Sequence, residues 1–131
     1  MSSDLDTLLN RLFDACQEND LQLWQDHVHP DAKVSWNTAV MDGNGLVDAI
    51  KVAHEKYQDI QFNSRSITTV EEHMSKAMSF VAFDWKATVQ SNNNLIEVPC
   101  QVRIHWDGNQ IVEYHEVFDG TVVTKAMEDN L

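Results

Sequence analysis

One carboxylate near the end of the chain lies where an acid–base group could act. Residues 102–120 form two strand-like runs on either side of Asp107-Gly108-Asn109, and an Asp-Gly pair between alternating hydrophobic residues is a strong β-hairpin signal. On the second strand, Glu116 shares its parity with three apolar residues: Val112, Tyr114 and Phe118. An ionised carboxylate is costly on a buried face, so Glu116 is predicted to be protonated, paired or beside a wet pocket.

A buried position would give Glu116 useful chemistry. A carboxylic acid in a partly dry, apolar pocket has a raised pKa, and it can then exchange protons near neutral pH as a general acid or base. The alternative is a β-bulge that shifts the parity and leaves Glu116 in solvent or in an ion pair. In the simple alternation Ile111 falls on the opposite, more polar face.

The elements that would position Glu116 follow from two periodicities. Spacings of three and four between apolar residues predict helices near 4–18, 20–29 and 45–57, the first capped by Ser3. A short strand is predicted at 32–37, and Pro30 is expected to end the second helix. From about residue 60 the period becomes two, which predicts long strands joined by hairpins, and the tail is expected to fray after Val123.

This order predicts an α+β fold in a single domain of residues 1–131. We expect a cone-shaped, strongly curved antiparallel sheet, covered by three helices from the N-terminal half. The wide end of a cone is a common place for a small-molecule site. The residues predicted to line it, besides Glu116, are mainly aromatic: Trp36, His54, Tyr57, Phe83, Trp85, Trp106, Tyr114, Phe118 and Asp119.

Four of these residues also have a simpler interpretation. Tyr57 could donate a hydrogen bond and Trp36 could form a stacking wall, but ordinary core packing is the favoured interpretation of both. His54 could reach the pocket mouth or remain a solvated helix residue. Asp119 could belong to the site or stabilise a turn.

Composition narrows the range of partners. The 131 residues are 43% hydrophobic, which indicates a globular protein, and the formal net charge of −12 disfavours nucleic acid and anionic membranes. No apolar run approaches the ~20 residues that span a bilayer, and the first residues lack signal-peptide features. Cys16 and Cys100 fit no metal or redox spacing, so we predict a cytoplasmic protein without metal or cofactor.

The sheet face opposite the core is predicted to carry charges of both signs, including Asp84, Lys86, Arg103 and His105. These residues could form a second polar site. A broad charged face that pairs across strands or across a dimer is the favoured interpretation, and it predicts a homodimer.

Three segments together resemble the nuclear-transport-factor-2-like (NTF2-like) superfamily, in its SnoaL-like and ketosteroid-isomerase-like branch, also described as a cystatin-like roll. They are HPDAKVSW, DGNGLVDAIKVAHEKY and DGNQIVEYHEVFDG, which span residues 29–36, 42–57 and 107–120. The first is similar to the short strand after the second helix, the second to the Gly-initiated third helix, and the third to the closing strand. The resemblance implies the cone fold and a dimer.

The resemblance also implies roles at particular positions. In SnoaL-like cyclases and limonene-epoxide-hydrolase-like enzymes an acid on the closing strand does proton chemistry, and Glu116 matches it; Asp119 matches the last acid of the motif. The ketosteroid isomerase base and Tyr match Trp36 and Leu12, which cannot replace them. Where epoxide hydrolases have Arg-x-Asp, this chain has Asp84-Trp85-Lys86, so the epoxide hydrolase mechanism does not carry over.

The favoured hypothesis is therefore a domain that binds a small hydrophobic or carbonyl-bearing molecule. It could be an isomerase, cyclase, hydrolase or lyase-like enzyme with Glu116 as general acid and base. A non-catalytic ligand-binding domain and a dimeric protein-interaction domain are the alternatives.

Overall fold

The computed structural model describes residues 3–128, with side chains from Asp4 onward. Its elements follow the chain as α1 (Ser3–Gln17), α2 (Gln22–His27), β1 (Val28–Trp36), β2 (Ala39–Met41), α3 (Gly43–Lys56), β3 (Tyr57–Glu71), β4 (Lys76–Val89), β5 (Leu95–Asp107), β6 (Gln110–Phe118) and α4 (Gly120–Met127). The α+β prediction and its three N-terminal helices are confirmed. The side chain of Ser3, predicted as a cap, lies outside the described residues.

The six strands form one sheet in the order β2-β1-β6-β5-β4-β3. Strands β3 to β6 pair antiparallel in sequence order, as predicted. The prediction of a purely antiparallel sheet is wrong, because β1 runs parallel to β6 and makes the sheet mixed. Pro30 does not end the second helix: it lies in β1, where the register with β6 shifts between Val28 and Lys33.

Irregularities in the strands curve the sheet. In β3 the register with β4 shifts twice, and a positive φ occurs within each shift, at Asp59 (56°) and Ser64 (55°). Such bulges bend a strand and increase its twist. A further shift lies between β5 and β6, where Ile111 pairs with Trp106 and the next paired residue is Glu113. It brings Ile111 to the buried side, which corrects its assignment to the polar face.

The core lies between the inner face of the sheet and α1 to α3. Strand β5 buries alternate residues there along almost its whole length, and helix α1 buries Leu8, Leu9, Leu12, Phe13 and Cys16. Trp24 of α2 is also buried, and its indole Nε1 donates to the carbonyl oxygen of Leu12, 2.7 Å away. Arg65 ties α1 to β3 at the second bulge, since its Nη1 lies 2.8 Å from a carboxylate oxygen of Asp14.

The chain after Asp119 forms a fourth helix, so the prediction of a fraying tail is wrong. Asp119 caps α4 by accepting a hydrogen bond from the amide of Thr121 at 3.0 Å. At the other end, the side-chain amides of Asn92 and Asn94 donate to the carbonyl oxygen of Ala126 at 3.0 and 2.9 Å. These bonds dock α4 against the turn between β4 and β5.

Candidate functional site

An apolar cavity of about 120 Å³ lies at the end of the cone. Helices α1, α2 and α3 form one side of it, the inner face of the sheet forms the other, and Val123 of α4 also lines it. Seven of the predicted site residues lie on this wall: Trp36, His54, Tyr57, Trp85, Tyr114, Glu116 and Phe118.

Three predicted site residues lie elsewhere. Phe83 is buried beside the cavity wall, where it packs against Phe13 and Phe62 with ring centroids 5.3 and 5.0 Å away. Trp106 is buried deeper in the sheet and donates from Nε1 to Ser79 Oγ at 2.9 Å. Asp119 caps α4. The first two have the predicted parity, but they lie further along their strands than the cavity extends.

Glu116 lies on the inner face of β6 and lines the cavity. The hydroxyl group of Tyr114, two residues earlier on the same face, donates to Glu116 Oε1 at 2.8 Å. Burial in this apolar environment raises the pKa of Glu116 from an ordinary 4.5 to about 7, although the bond from Tyr114 acts in the opposite direction. Both protonation states of Glu116 are therefore populated near neutral pH.

Tyr114 is the fixed partner of this acid. It is buried, and its ring meets the indole of Trp24 edge to face at 6.1 Å. Burial, followed by the neighbouring Glu116 charge, raises the pKa of Tyr114 well above its usual value. Tyr114 thus remains a neutral hydrogen-bond donor, and its bond fixes the direction in which Glu116 Oε1 points.

The two cysteines also belong to the cavity wall, which the sequence analysis did not anticipate. Cys16 comes from α1 and Cys100 from β5, and both are free thiols. Burial, reinforced by the Glu116 charge, raises the pKa of Cys16 to about 12 and that of Cys100 further. Neither is a ready nucleophile, because the thiolate is the reactive form.

His54 and Tyr57 also lie on the cavity wall. His54 of α3 contacts the carbonyl oxygen of Cys16 through Nε2, which joins α3 to α1. Tyr57 begins β3 and packs edge to face on Trp85 at 5.0 Å. Nothing in residues 3–128 brings three or more His, Cys, Asp or Glu side chains together as a metal site. In the same range, no helix has the length and hydropathy to cross a bilayer.

Comparisons with known proteins identify the fold. No protein-family model matches the sequence, and no curated protein matches it. Solved structures match over nearly the whole chain. A proposed SnoaL-like polyketide cyclase from Jannaschia sp. CCS1 has a TM-score of 0.76 and 13% identity, with coverage of 95% of this chain and 92% of that one.

Two further neighbours have different names. AclR, a proposed hydroxylase from Streptomyces galilaeus, has a TM-score of 0.75 and 16% identity, covering 100% of this chain and 91% of that one. An NTF2-like protein from Burkholderia thailandensis E264 has a TM-score of 0.70 and 12% identity, covering 94% and 96%. The chain has the SnoaL-like, NTF2-like fold that its sequence motifs resemble. The same fold carries different functions, so the activity has to be argued from the site.

Proposed function

We propose that this protein binds a small, mostly apolar molecule in the cone cavity and exchanges a proton with it through Glu116. The observation that carries the proposal is the Tyr114–Glu116 pair in an apolar cavity, with a pKa of about 7 for the acid. A group that is half protonated near neutral pH can act both as general acid and as general base. The names of neighbours described as polyketide cyclases are consistent with a carbonyl-bearing ligand.

The size of the cavity limits the part of a ligand that it can enclose. An apolar cavity of about 150 Å³ accommodates a benzene molecule. The cavity of about 120 Å³ is slightly smaller, so it encloses at most a single ring or a comparable aliphatic group. A larger ligand would leave its remaining parts outside. Isomerase or cyclase chemistry would need only the reacting carbon to lie beside Glu116, whereas a non-catalytic binding domain would need no proton exchange.

The test of this site is a titration of Glu116 followed by the NMR signal of its carboxyl carbon. We expect a midpoint near pH 7, compared with about 4.3 for a free glutamate. Glu113 provides an internal reference on the same strand, since the bond to His115 lowers its pKa. Addition of acetophenone should shift the Glu116 signal and leave that of Glu113 unchanged. A midpoint at or below the free value would contradict the proposal.

We also propose a homodimer that forms through the outer face of the sheet. The outer face here means the groove lined by Ser35, Phe80, Arg103, His115 and Val117, among others. Phe80 and Val117 are 47% and 63% exposed, an unusual position for large apolar side chains at the centre of a sheet. Cationic Arg103 lies between them, which would moderate the repulsion between two acidic chains.

Light scattering at micromolar concentration should therefore give twice the mass of one chain, which is 15.0 kDa. Val117→Lys, which places a charge on the outer face, should shift the protein toward the monomer. Met74→Lys adds the same charge in the exposed turn between β3 and β4, and it should not change the mass. A monomer in the unmodified protein would contradict the dimer.

We also propose a reducing, cytoplasmic location, which the free thiols of Cys16 and Cys100 support.

A further inference from the structure

The indole N–H of Trp36 is a buried donor that lacks a protein partner. Trp24 and Trp106 are also buried, but their Nε1 atoms donate to Leu12 and Ser79 at 2.7 and 2.9 Å. Among the residues that the structure describes, none supplies an acceptor for the buried Nε1 of Trp36. A buried donor without a partner is unfavourable, and the few examples in folded proteins call for an explanation.

The position of Trp36 on the cavity wall suggests that explanation. Trp36 is the last residue of β1, and its register partner on the parallel strand β6 is Glu116. Paired residues on neighbouring strands present their side chains on the same face of the sheet. Both residues line the cavity, so the ring that carries the unpartnered donor belongs to the same part of the wall as the acid.

We propose that Trp36 binds an acceptor oxygen of the ligand and thereby sets which of its atoms lies beside Glu116. The proposal rests on the function proposed above, and it assigns Trp36 a positioning role. An indole N–H can only donate, so it favours carbonyl and ether oxygens over apolar groups of the same shape. The Tyr114 hydroxyl already donates to Glu116, whereas the Trp36 indole donates to none of the described residues. Trp36 is partly exposed although its Nε1 is covered, so the proposal requires the indole to turn until Nε1 meets the acceptor.

For a ketone, this arrangement has a definite chemical consequence. The Glu116 carboxylate takes a proton from the carbon next to the carbonyl group, and the electron pair of that C–H bond forms a C=C bond. The carbonyl π electrons move to the oxygen, which becomes an enolate. That oxygen carries more negative charge than the ketone oxygen did, so its hydrogen bond from Trp36 becomes stronger. Return of the proton to carbon restores both the ketone and the carboxylate.

Two probes of nearly the same shape test the role of Trp36. Acetophenone has a carbonyl oxygen where α-methylstyrene has a CH₂ group. In nitrogen–proton NMR spectra, the Trp36 indole signal is identified by its loss in Trp36→Phe. We expect acetophenone to move this signal downfield, as a new hydrogen bond does, and α-methylstyrene to move it little. The shift itself is measured on the unmodified protein, and the variant serves only to assign the signal.

Affinities provide the second measurement. Trp36→Phe should weaken acetophenone binding about fivefold to tenfold, the effect of one lost hydrogen bond, and change α-methylstyrene binding less than twofold. Trp85→Phe is the matched control, because Trp85 also lines the cavity and packs on Tyr57. It should affect both probes equally.

The outcomes separate the two proposals. If acetophenone shifts the Glu116 carboxyl signal but moves the Trp36 signal no more than α-methylstyrene does, the role of Trp36 is wrong and the cavity function remains. Equal weakening of both probes by Trp36→Phe would also overturn that role. If neither probe binds, the proposed function fails, and the role of Trp36 fails with it.

Discussion

Replacement of Glu116 by Gln should remove proton exchange from the cavity while leaving ligand binding in place. The amide keeps the shape of the acid and can still accept the hydrogen bond from Tyr114 at Oε1. It has no proton to give or take at neutral pH. Deuterium exchange at the methyl group of acetophenone in D₂O, followed by proton NMR, should therefore slow by about 10²–10⁴-fold. The dissociation constant for acetophenone should change little.

The pH dependence of this exchange identifies the group responsible. Because the carboxylate is the form that accepts a proton, the rate in the unmodified protein should rise as the pH passes through about 7 and then level off. Glu113→Gln is the matched control: Glu113 is on the same strand but bonds to His115 at 3.0 Å, away from the cavity. It should keep both the rate and its pH profile. Exchange at an unchanged rate in Glu116→Gln would contradict the assignment.

The Glu116→Gln variant should also change how the free energy of unfolding depends on pH. The folded protein raises the pKa of Glu116 from 4.5 to about 7, so between these values the folded chain holds a proton that the unfolded chain releases. Stability from this group is fully present below pH 4.5 and is lost as the pH rises through 7, by about 3 kcal/mol. Glu116→Gln should remove this loss, so urea unfolding at pH 8 should need more denaturant for the variant than for the unmodified protein.

The parity of Glu116 could be predicted because most of the hairpin is regular. Alternation fixes which residues share a face, and Tyr114, Glu116 and Phe118 all lie on the cavity wall as expected. The alternation fails at Ile111 because the bulge between β5 and β6 adds a residue on β6. The shift does not change the face of Glu116, because Glu116 follows the bulge together with Tyr114 and Phe118, the aromatic residues that share its parity.

The parallel pairing of β1 with β6 could not be predicted from local pattern. These strands are separated by most of the chain, and hairpin signals report only the pairing of consecutive strands. This non-local contact is also what brings Trp36 beside Glu116. Likewise, parity identified Phe83 and Trp106 as inward-facing residues, but it could not say how far the cavity extends along β4 and β5.

The sequence contains a helix-capping signal for α4, which the prediction did not include. Asp119 precedes Gly120 and Thr121 in the way that Asp42 precedes Gly43, and both aspartates cap a helix. Asp119 was predicted as a site or turn residue, and the tail was expected to fray after Val123. Its docking depends on side-chain amides from the turn between β4 and β5, which no local pattern contains.

Of the substitutions considered, Gly43→Ala should cause the largest loss in the free energy of unfolding. Gly43 is the first residue of α3 and is buried against β1. A Cβ atom added there would lie 1.9 Å from the carbonyl oxygen of His29 and 2.9 Å from its carbonyl carbon. Both are backbone atoms, so either α3 or β1 must move. We expect a loss of about 3 kcal/mol or more and a fall in melting temperature of at least about 10 °C.

Gly120→Ala is a closely matched control for this steric effect. Gly120 is also the first residue of a helix, and it also follows a capping aspartate. A Cβ atom there would lie 3.5 Å from Asn37 Nδ2, an ordinary contact. Since alanine favours helix over glycine by up to about 1 kcal/mol, Gly120→Ala should be neutral or stabilising.

Because α3 carries Leu46, Ile50 and His54 on the cavity wall, Gly43→Ala should also weaken acetophenone binding. Equal thermal stability of the two variants would show that α3 does not pack this closely on β1.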